Sequence, residues 1–211
     1  METIYFVNCT LTSLDETFGL HQGFHSQALM TWLKSPVELS NYERESTIFL
    51  QELLQLNVLG WNEQELSLHF IGPLFSLARI SSQKYNLFAN RQISAQVGDY
   101  WLTGKPDGFV ASGYREPRLP YFVFAEYKKD KDPEGDPAAQ AIAAMLAGQA
   151  LNNDNKLMYG CYVVGENWRF MVLEGSEYTI TPAYSALTDE VFEVLQALKT
   201  LKKIVESYLG M

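Results

Sequence analysis

The chain of 211 residues is poor in cysteine and has no long apolar run. Its two cysteines, Cys9 and Cys161, give neither a disulfide framework nor the ligand spacing of a zinc site, so we expect a reducing cytoplasmic environment. No stretch approaches the roughly 18 consecutive apolar residues that cross a bilayer. Residues 1–8 contain Glu2 and lack the basic leader of a signal peptide. We therefore expect a cytoplasmic protein with no membrane partner.

The sequence also lacks the short motifs of several common enzyme classes. It has no Gly-x-Ser-x-Gly turn for a nucleophile and no dinucleotide-binding fingerprint. Gly104-Lys105 is followed by Pro106, where a phosphate-binding loop has serine or threonine. No internal repeat or long linker divides the chain. With 47% hydrophobic and 13% aromatic residues, it has the composition of one folded domain.

Basic residues are scarce, with 16 against 25 acidic ones, and the net charge is −9. This argues against a protein that coats nucleic acid through bulk attraction to phosphates. The basic residues are unevenly placed, however: residues 79–131 hold nine basic and five acidic residues, whereas the rest of the chain holds seven and twenty. A phosphate-binding cleft requires such a concentration of positive charge, although a clustering of this size also arises by chance.

The strongest strand signal lies at residues 121–129, YFVFAEYKK, which are rich in aromatic and β-branched side chains. Successive side chains of a strand point to opposite faces, so we expect Phe122, Phe124, Glu126 and Lys128 to share one face. A carboxylate and an ammonium therefore continue a buried apolar row.

Upstream, proline and glycine at residues 104–108 (GKPDG) favour a bend between two short strand pieces. An antiparallel pairing of this region with the later strand would bring Asp107 beside Glu126. Two carboxylates about 4 Å apart repel each other by roughly 4 kcal/mol at the effective dielectric of a protein surface. Lys105 and Lys128 could neutralise them in a plain ion-pair cluster. A divalent cation is the alternative, since Mg²⁺ binds one or two carboxylates together with waters and phosphate oxygens.

Pro106-Asp107, followed nineteen positions later by Glu126-Tyr127-Lys128, resembles the bipartite signature of the PD-(D/E)XK nuclease superfamily. The resemblance implies an α/β fold with a restriction-endonuclease-like core, a central mixed β-sheet flanked by helices, with elements in the order αβββαβ. It implies that Asp107, Glu126 and the backbone carbonyl of Tyr127 bind Mg²⁺ or Mn²⁺. Lys128 would orient the attacking water and offset charge that develops on the phosphorane.

Apolar residues at helical spacing indicate a helix at residues 42–59, and we expect Phe49, Leu53 and Leu56 in its buried stripe. Glu45 lies one turn before Phe49 and would head that stripe. The segment resembles the helix that opens the nuclease domain of type I restriction subunits, which makes Glu45 a candidate catalytic residue and outer metal ligand. The alternative is a glutamate that the helix dipole favours in the first turn.

An alanine-rich helix is expected at residues 137–152, because small side chains allow close packing on a sheet. Gln140 lies in its first turn, near the end of the strand that carries Glu126. In several branches of the superfamily a glutamine at this place approaches the site, often with a tyrosine four residues later. That later position is Ala144 here. Gln140 is therefore a candidate site residue that matches the glutamine of the pattern but lacks its tyrosine.

We expect a single nuclease-like domain over residues 1–211. Its core would span residues 41–175, after an N-terminal extension at 1–40 and before a C-terminal strand and helix at 176–211. Within the core, residues 157–173 read as two strands joined by a turn, which would extend the central sheet.

The function that the resemblance implies is cleavage of nucleic acid, DNA rather than RNA, by a Mg²⁺- or Mn²⁺-dependent phosphodiesterase. Two alternatives stay open. One is a catalytically inactive subunit that keeps the nuclease fold and binds nucleic acid or serves as a scaffold. The other is an acidic module that contacts a basic protein partner. A homodimer, a larger defence or repair assembly and a chain that acts alone are all compatible with the sequence.

Overall fold

The computed structural model describes residues 2–131, 134–154 and 156–211. Within these residues, no helix has both the length and the apolar character needed to cross a bilayer. The α-helices are α1 (Leu11–Phe18), α2 (Gln27–Lys34), α3 (Asn41–Asn57), α4 (Glu63–Leu66), α5 (Gly72–Leu77), α6 (Pro137–Asn152) and α7 (Glu190–Tyr208). A 3-10 turn at Phe6–Asn8 and a π-helical turn at Ser67–Ile71 complete the helical segments described.

The strands form two separate sheets. They are β1 (Glu2–Tyr5), β2 (His21–Gly23), β3 (Tyr85–Phe88), β4 (Ile93–Val97), β5 (Tyr100–Gly104), β6 (Gly108–Ser112), β7 (Arg118–Lys128), β8 (Met158–Val164), β9 (Asn167–Glu174), β10 (Glu177–Ile180) and β11 (Tyr184–Ser185). The large sheet has the order β2-β10-β9-β8-β7-β6-β3, with β11 beside β9, and the small sheet has the order β1-β5-β4. Since β7 and β8 are parallel while β6 and β7 are antiparallel, the large sheet is mixed. The α/β class, with a mixed sheet flanked by helices, is confirmed.

The large sheet separates two hydrophobic cores. On one face it packs against α2, α3, α5 and α7, with Trp32 and Trp168 among the buried side chains. On the other face it packs against α6 and α1, where Phe109 and Phe124 are buried. β7 lies in the middle of the sheet and supplies side chains to both cores. The prediction that Phe122 shares a face with Phe124 is wrong, because the register with β6 shifts beside Phe122 and turns it into the first core.

Helix α6 is buried on two sides because it lies between the two sheets. Residues 138–148 are all buried, and six of these eleven are alanine. Helix α6 is therefore apolar around almost its whole circumference, which is typical of a helix enclosed in a core. A Cβ atom at Gly148 would collide with the ring of Phe124, so the absence of a side chain there allows α6 to lie close to β7.

The N-terminal forty residues, predicted to be an extension, contribute an edge strand to each sheet. β1 pairs in parallel with β5 in the small sheet, and β2 pairs in parallel with β10 in the large sheet. Asp136 adds a further connection: its Oδ1 accepts a hydrogen bond from the amide of Ala139 in α6, and its Oδ2 accepts one from the amide of Leu11 in α1. One carboxylate therefore satisfies the N-terminal amides of two helices.

The buried face of α3 differs from the predicted one. Leu50 and Leu54 are buried together with Thr47, whereas Phe49 and Leu56 are 63% and 82% exposed. Apolar residues occupy more than half of the circumference of this helix, so their spacing is compatible with more than one buried face. Thr47 is accommodated in the core because its hydroxyl donates to the carbonyl of Glu43, 2.7 Å away.

The two leucines of α3 provide a test of this orientation. We expect Leu54→Ala to lower the free energy of unfolding by about 2–5 kcal/mol, because it leaves a cavity at a fully buried position. Leu56→Ala is the matched control and should change it by less than about 0.5 kcal/mol. Urea denaturation followed by circular dichroism measures both. A larger loss for Leu56→Ala than for Leu54→Ala would contradict the orientation of α3.

Candidate active site

The candidate site lies where β7 extends beyond β6. β6 begins at Gly108, which is opposite Ala125, so the last three residues of β7 have no partner in β6. On its other edge β7 stays paired with β8, up to the pair formed by Lys128 and Val164. One edge of the backbone is therefore left open beside Glu126, Tyr127 and Lys128.

Asp107 takes the place of the missing strand residue. Its Oδ2 accepts a hydrogen bond from the backbone amide of Tyr127, with an N···O distance of 2.8 Å. Because the N–H and C=O of one strand residue point toward the same neighbouring strand, the carbonyl of Tyr127 faces the same edge. The structure thus brings together Asp107, Glu126 and the Tyr127 backbone, which the sequence singled out.

The residues that flank Asp107 fix its position. The carbonyl of Pro106 accepts a hydrogen bond from the amide of Asn90, 3.1 Å away, which holds the bend. A Cβ atom at Gly108 would lie 2.6 Å from the hydroxyl of Tyr127, so only glycine lets the chain approach β7 this closely.

Glu126 and Lys128 lie on one face of β7, as predicted, and both are buried. Their exposed fractions are 7% and 8%, and Nζ of Lys128 donates a hydrogen bond to Oε1 of Glu126 over 2.8 Å. Lys105, the other lysine predicted to neutralise the carboxylates, is exposed. A buried ion pair is weak evidence for a contribution to stability, because desolvation offsets much of the attraction.

Burial and mutual repulsion perturb the ionisation of this group. Burial, together with the charge of Asp107, raises the pKa of Glu126 to about 7, although Lys128 opposes the change. Burial also raises the pKa of Asp107. Burial alone would lower the pKa of Lys128, but its hydrogen bond to Glu126 and the nearby carboxylates raise it overall. Lys128 is therefore charged at neutral pH, while Glu126 is poised to gain or lose a proton.

Glu63 is a member of the site that the sequence did not reveal. It is the first residue of α4, and its Oε1 lies 3.8 Å from Nζ of Lys128. The start of α4 is recognisable from the sequence, because Asn62 and Glu65 form a capping box. Its position above the end of β7 depends on tertiary packing. One ammonium group thus faces three carboxylates, those of Glu63, Asp107 and Glu126.

A groove of about 1040 Å³ opens onto the site. Asp107 and Tyr127 line it together with the start of α4, and its acidic side chains are Glu63, Glu65 and Asp107. Such a lining attracts cations and repels phosphate groups. A phosphate could therefore approach the groove only after a cation has reduced its negative charge.

The donor atoms present fit a magnesium or manganese ion. In the described part of the chain, no group of three or more His, Cys, Asp or Glu side chains is arranged to hold a metal. Mg²⁺ nevertheless needs only one or two carboxylates, since waters and substrate oxygens complete its octahedral shell. Asp107, Glu126 and the carbonyl of Tyr127 supply oxygen ligands of this kind. Burial raises the pKa of Glu126 most, and the charge of Asp107, which a bound cation would offset, adds to it.

Glu45 lies in a different part of the surface from these residues. It is exposed and lines an adjoining groove of about 680 Å³. The two grooves share Pro73 and Ser76 along their borders. The prediction that Glu45 heads a buried stripe is wrong, since α3 turns Phe49, one turn further on, toward solvent. Glu63 occupies the place near Lys128 where a third carboxylate was expected.

Gln140 is buried in the first turn of α6, as predicted. Among the residues described, its Nε2 has no hydrogen-bond partner. It lies beneath Gly135, where an added Cβ atom would come within 2.6 Å of that nitrogen. Its participation in the site stays a prediction.

The ionisation of Glu126 should be visible in the pH dependence of stability. The folded chain holds this proton up to a pH of about 7, whereas the unfolded chain releases it near the ordinary pKa of 4.5. The folded state then binds more protons, so the free energy of unfolding falls as the pH rises through this window. We expect Glu126→Gln to flatten the slope between these values, by at most about 1.4 kcal/mol per pH unit.

Urea denaturation at several pH values, in the presence of a chelator, measures this slope. Glu52→Gln, which changes an exposed glutamate of α3, is the matched control and should reproduce the native profile. If Glu126→Gln also reproduced the native profile, the claim that Glu126 holds a proton up to a pH of about 7 would be disproved.

Neither a scan against protein-family models nor a search of curated proteins finds a match for this chain. The interpretation of the site is therefore based on the positions of Glu63, Asp107, Glu126 and Lys128, and on the resemblance carried by Asp107 and Glu126-Tyr127-Lys128.

Proposed function

We propose that the protein is a metal-dependent phosphodiesterase that cleaves nucleic acid, with DNA as the preferred substrate. The observation that carries this proposal is that Asp107 is hydrogen-bonded to the backbone of Tyr127 at the open edge of β7, close enough for its charge to raise the pKa of Glu126, while Lys128 is hydrogen-bonded to Glu126. Buried carboxylates with raised pKa values beside a groove are typical of functional sites. The same three side chains form the signature that resembles the PD-(D/E)XK superfamily.

The order of elements around the site supports a restriction-endonuclease-like core. From α3 onward, the large sheet receives β3, β6 and β7 as an antiparallel run, and the chain then passes through α6 to β8, which is parallel to β7. This is an αβββαβ order, with the hairpin of β4 and β5 inserted between β3 and β6. The insertion places a second sheet next to the site.

Asp107, Glu126 and the carbonyl of Tyr127 would hold Mg²⁺ or Mn²⁺. When bound, such an ion polarises a phosphate oxygen and lowers the pKa of a bound water. Lys128, fixed by Glu126, would hydrogen-bond the attacking water and offset the negative charge that develops on the phosphate. Its raised pKa keeps the amine protonated for this purpose. Glu63 would act as a positioning residue, since it faces the same amine from the other side.

Nuclease assays with matched variants test this proposal. With supercoiled plasmid and single-stranded DNA in Mg²⁺ or Mn²⁺, we expect Asp107→Asn and Lys128→Met each to lower the cleavage rate on the order of 100-fold, because each removes charge that the transition state needs. Glu52→Gln, at an exposed glutamate of α3, is the control and should retain the native rate.

Equal residual cleavage in all four proteins would show that a contaminant is responsible and would contradict the assignment. If no protein cleaves, calorimetric titration with Mn²⁺ distinguishes the alternatives. Binding that Asp107→Asn abolishes would leave a metal site without turnover. An absence of binding would leave an inactive subunit or an acidic module that contacts a basic partner.

Glutamine variants of Glu63 and Glu45 test which of these two glutamates belongs to the site. We expect Glu63→Gln to lower the rate of cleavage about tenfold, because it changes the charge that faces Lys128. Glu45→Gln should change the rate less than twofold, on the order of assay error. Parallel rate measurements at saturating Mn²⁺ provide the test. A larger loss for Glu45→Gln would restore Glu45 as the third acidic residue of the site.

A further inference from the structure

The small sheet packs only one of its two faces against the rest of the protein. Ile93, Ala95 and Leu102 point toward α6 and are buried in the second core. The opposite face, which we call the open face, carries side chains from all three strands. They are Thr3, Tyr5, Ser94, Gln96, Trp101 and Thr103.

The strand register arranges the open face in two rows. Trp101 lies between Thr3 and Gln96 in one row, and Thr103 lies between Tyr5 and Ser94 in the next. The two aromatic residues are therefore diagonal neighbours on adjacent strands, with Cα atoms roughly 8 Å apart by strand geometry. Tyr5 is 53% exposed and Trp101 is 43% exposed. Single exposed aromatic residues are common, but two neighbouring ones on the same open sheet face form a candidate binding surface.

The polar groups beside the rings are held in place. Nε2 of Gln92 donates to Oγ1 of Thr103 over 2.7 Å, and the hydroxyls of Ser94 and Thr103 lie 2.5 Å apart. The hydroxyl of Thr103 in turn donates to the carbonyl of Ile93. The hydroxyl of Thr103, which is buried, is therefore used within the sheet, and the open face offers two exposed rings. None of its six side chains is charged.

Charge is distributed unevenly around the open face. Arg91 precedes β4 and Lys105 follows β5, so both basic residues lie at the end of the sheet from which the chain continues to Asp107. Arg91 is paired there with Glu116, 2.6 Å away, whereas Lys105 is exposed and forms no ion pair with the residues that the structure describes. Glu2 and Asp99 lie at the other end. In a chain with a net charge of −9, an uncharged face that ends at the exposed Lys105 favours a polyanion that runs toward that end.

The open face is also close to the candidate active site along the chain. Asp107 is six positions after Trp101, so their Cα atoms are at most about 22 Å apart. A stacked strand of nucleic acid advances about 3.4 Å per nucleotide. About six nucleotides therefore reach from one to the other.

We propose that the open face binds single-stranded nucleic acid, with bases stacked on Tyr5 and Trp101, and leads the strand past Lys105 to the groove at Asp107. Aromatic side chains on an open sheet stack unpaired bases without regard to sequence, because every base has a flat π-face. The bases of a duplex are stacked on one another and leave no such face free. This assignment rests on the proposed function, because it names single strands as the preferred substrate class.

The test is fluorescence anisotropy with an end-labelled single strand of about 20 nucleotides, longer than the roughly 4–16 nucleotides that such surfaces cover. A chelator is present, so that binding is measured without cleavage. We expect Trp101→Thr and Tyr5→Thr each to weaken binding about tenfold, and Trp101→Phe to retain most of it. Threonine preserves the preference for a strand. Tyr114→Thr, at an exposed tyrosine between β6 and β7, is the matched control.

The same variants separate this inference from the proposed function. If the native chain cleaves plasmid while Trp101→Thr and Tyr5→Thr change neither binding nor cleavage of single strands, the open face is not the binding surface, although the nuclease assignment stands. If they weaken binding and no chain cleaves, the binding surface stands without the nuclease.

Three other outcomes would overturn the inference. The first is that the native chain binds a duplex of the same length as tightly as the single strand, and that each threonine variant loses affinity for both to the same extent. Such binding would require no unpaired bases. The second is binding of a neutral oligosaccharide to the native chain but not to Trp101→Thr, with unchanged affinity for nucleic acid. The third is a native dimer, seen by sedimentation, that Trp101→Thr converts to monomer without loss of nucleic-acid binding.

Discussion

The difference in length between β6 and β7 determines the geometry of the candidate site. Had β6 continued for three more residues, its backbone would have paired with the end of β7 and filled the edge at which Asp107 now lies. Instead, the carboxylate of Asp107 accepts the backbone amide of Tyr127. The position of this acidic group is thus set by the hydrogen-bond register of the sheet, which is among the most rigid features of a folded chain.

The charges at this edge are not balanced by the protein alone. Lys128 is hydrogen-bonded to Glu126 and faces Glu63, while Asp107 repels Glu126 from the other side. Replacing a buried ion pair with apolar side chains is often neutral or stabilising, so a fold gains little by keeping this group. Its presence in the middle of the sheet, beside an acidic groove, is best explained by a role in binding or chemistry.

The sequence predicted the parts of this arrangement that depend on local pattern. Alternation along β7 placed Glu126 and Lys128 on one face, and proline and glycine around Asp107 predicted the bend. The parts that depend on distant packing were missed. Glu63 joins the site only because α4 lies above the end of β7, and the small sheet gains its third strand only because β1 pairs with β5, about a hundred residues away. The face that α3 buries was mispredicted, since apolar residues occur on both of its sides.

The small side chains of α6 fix the distance between the two sheets. Alanine and glycine make this helix thin, and it separates the two sheets as a spacer of fixed width. Packed helices and sheets cannot slide or separate continuously, because close-packed interiors resist deformation. Any tilt of the small sheet would therefore be transmitted through the helix to β7, so that the open face and the strand that carries Glu126 and Lys128 move as one rigid unit.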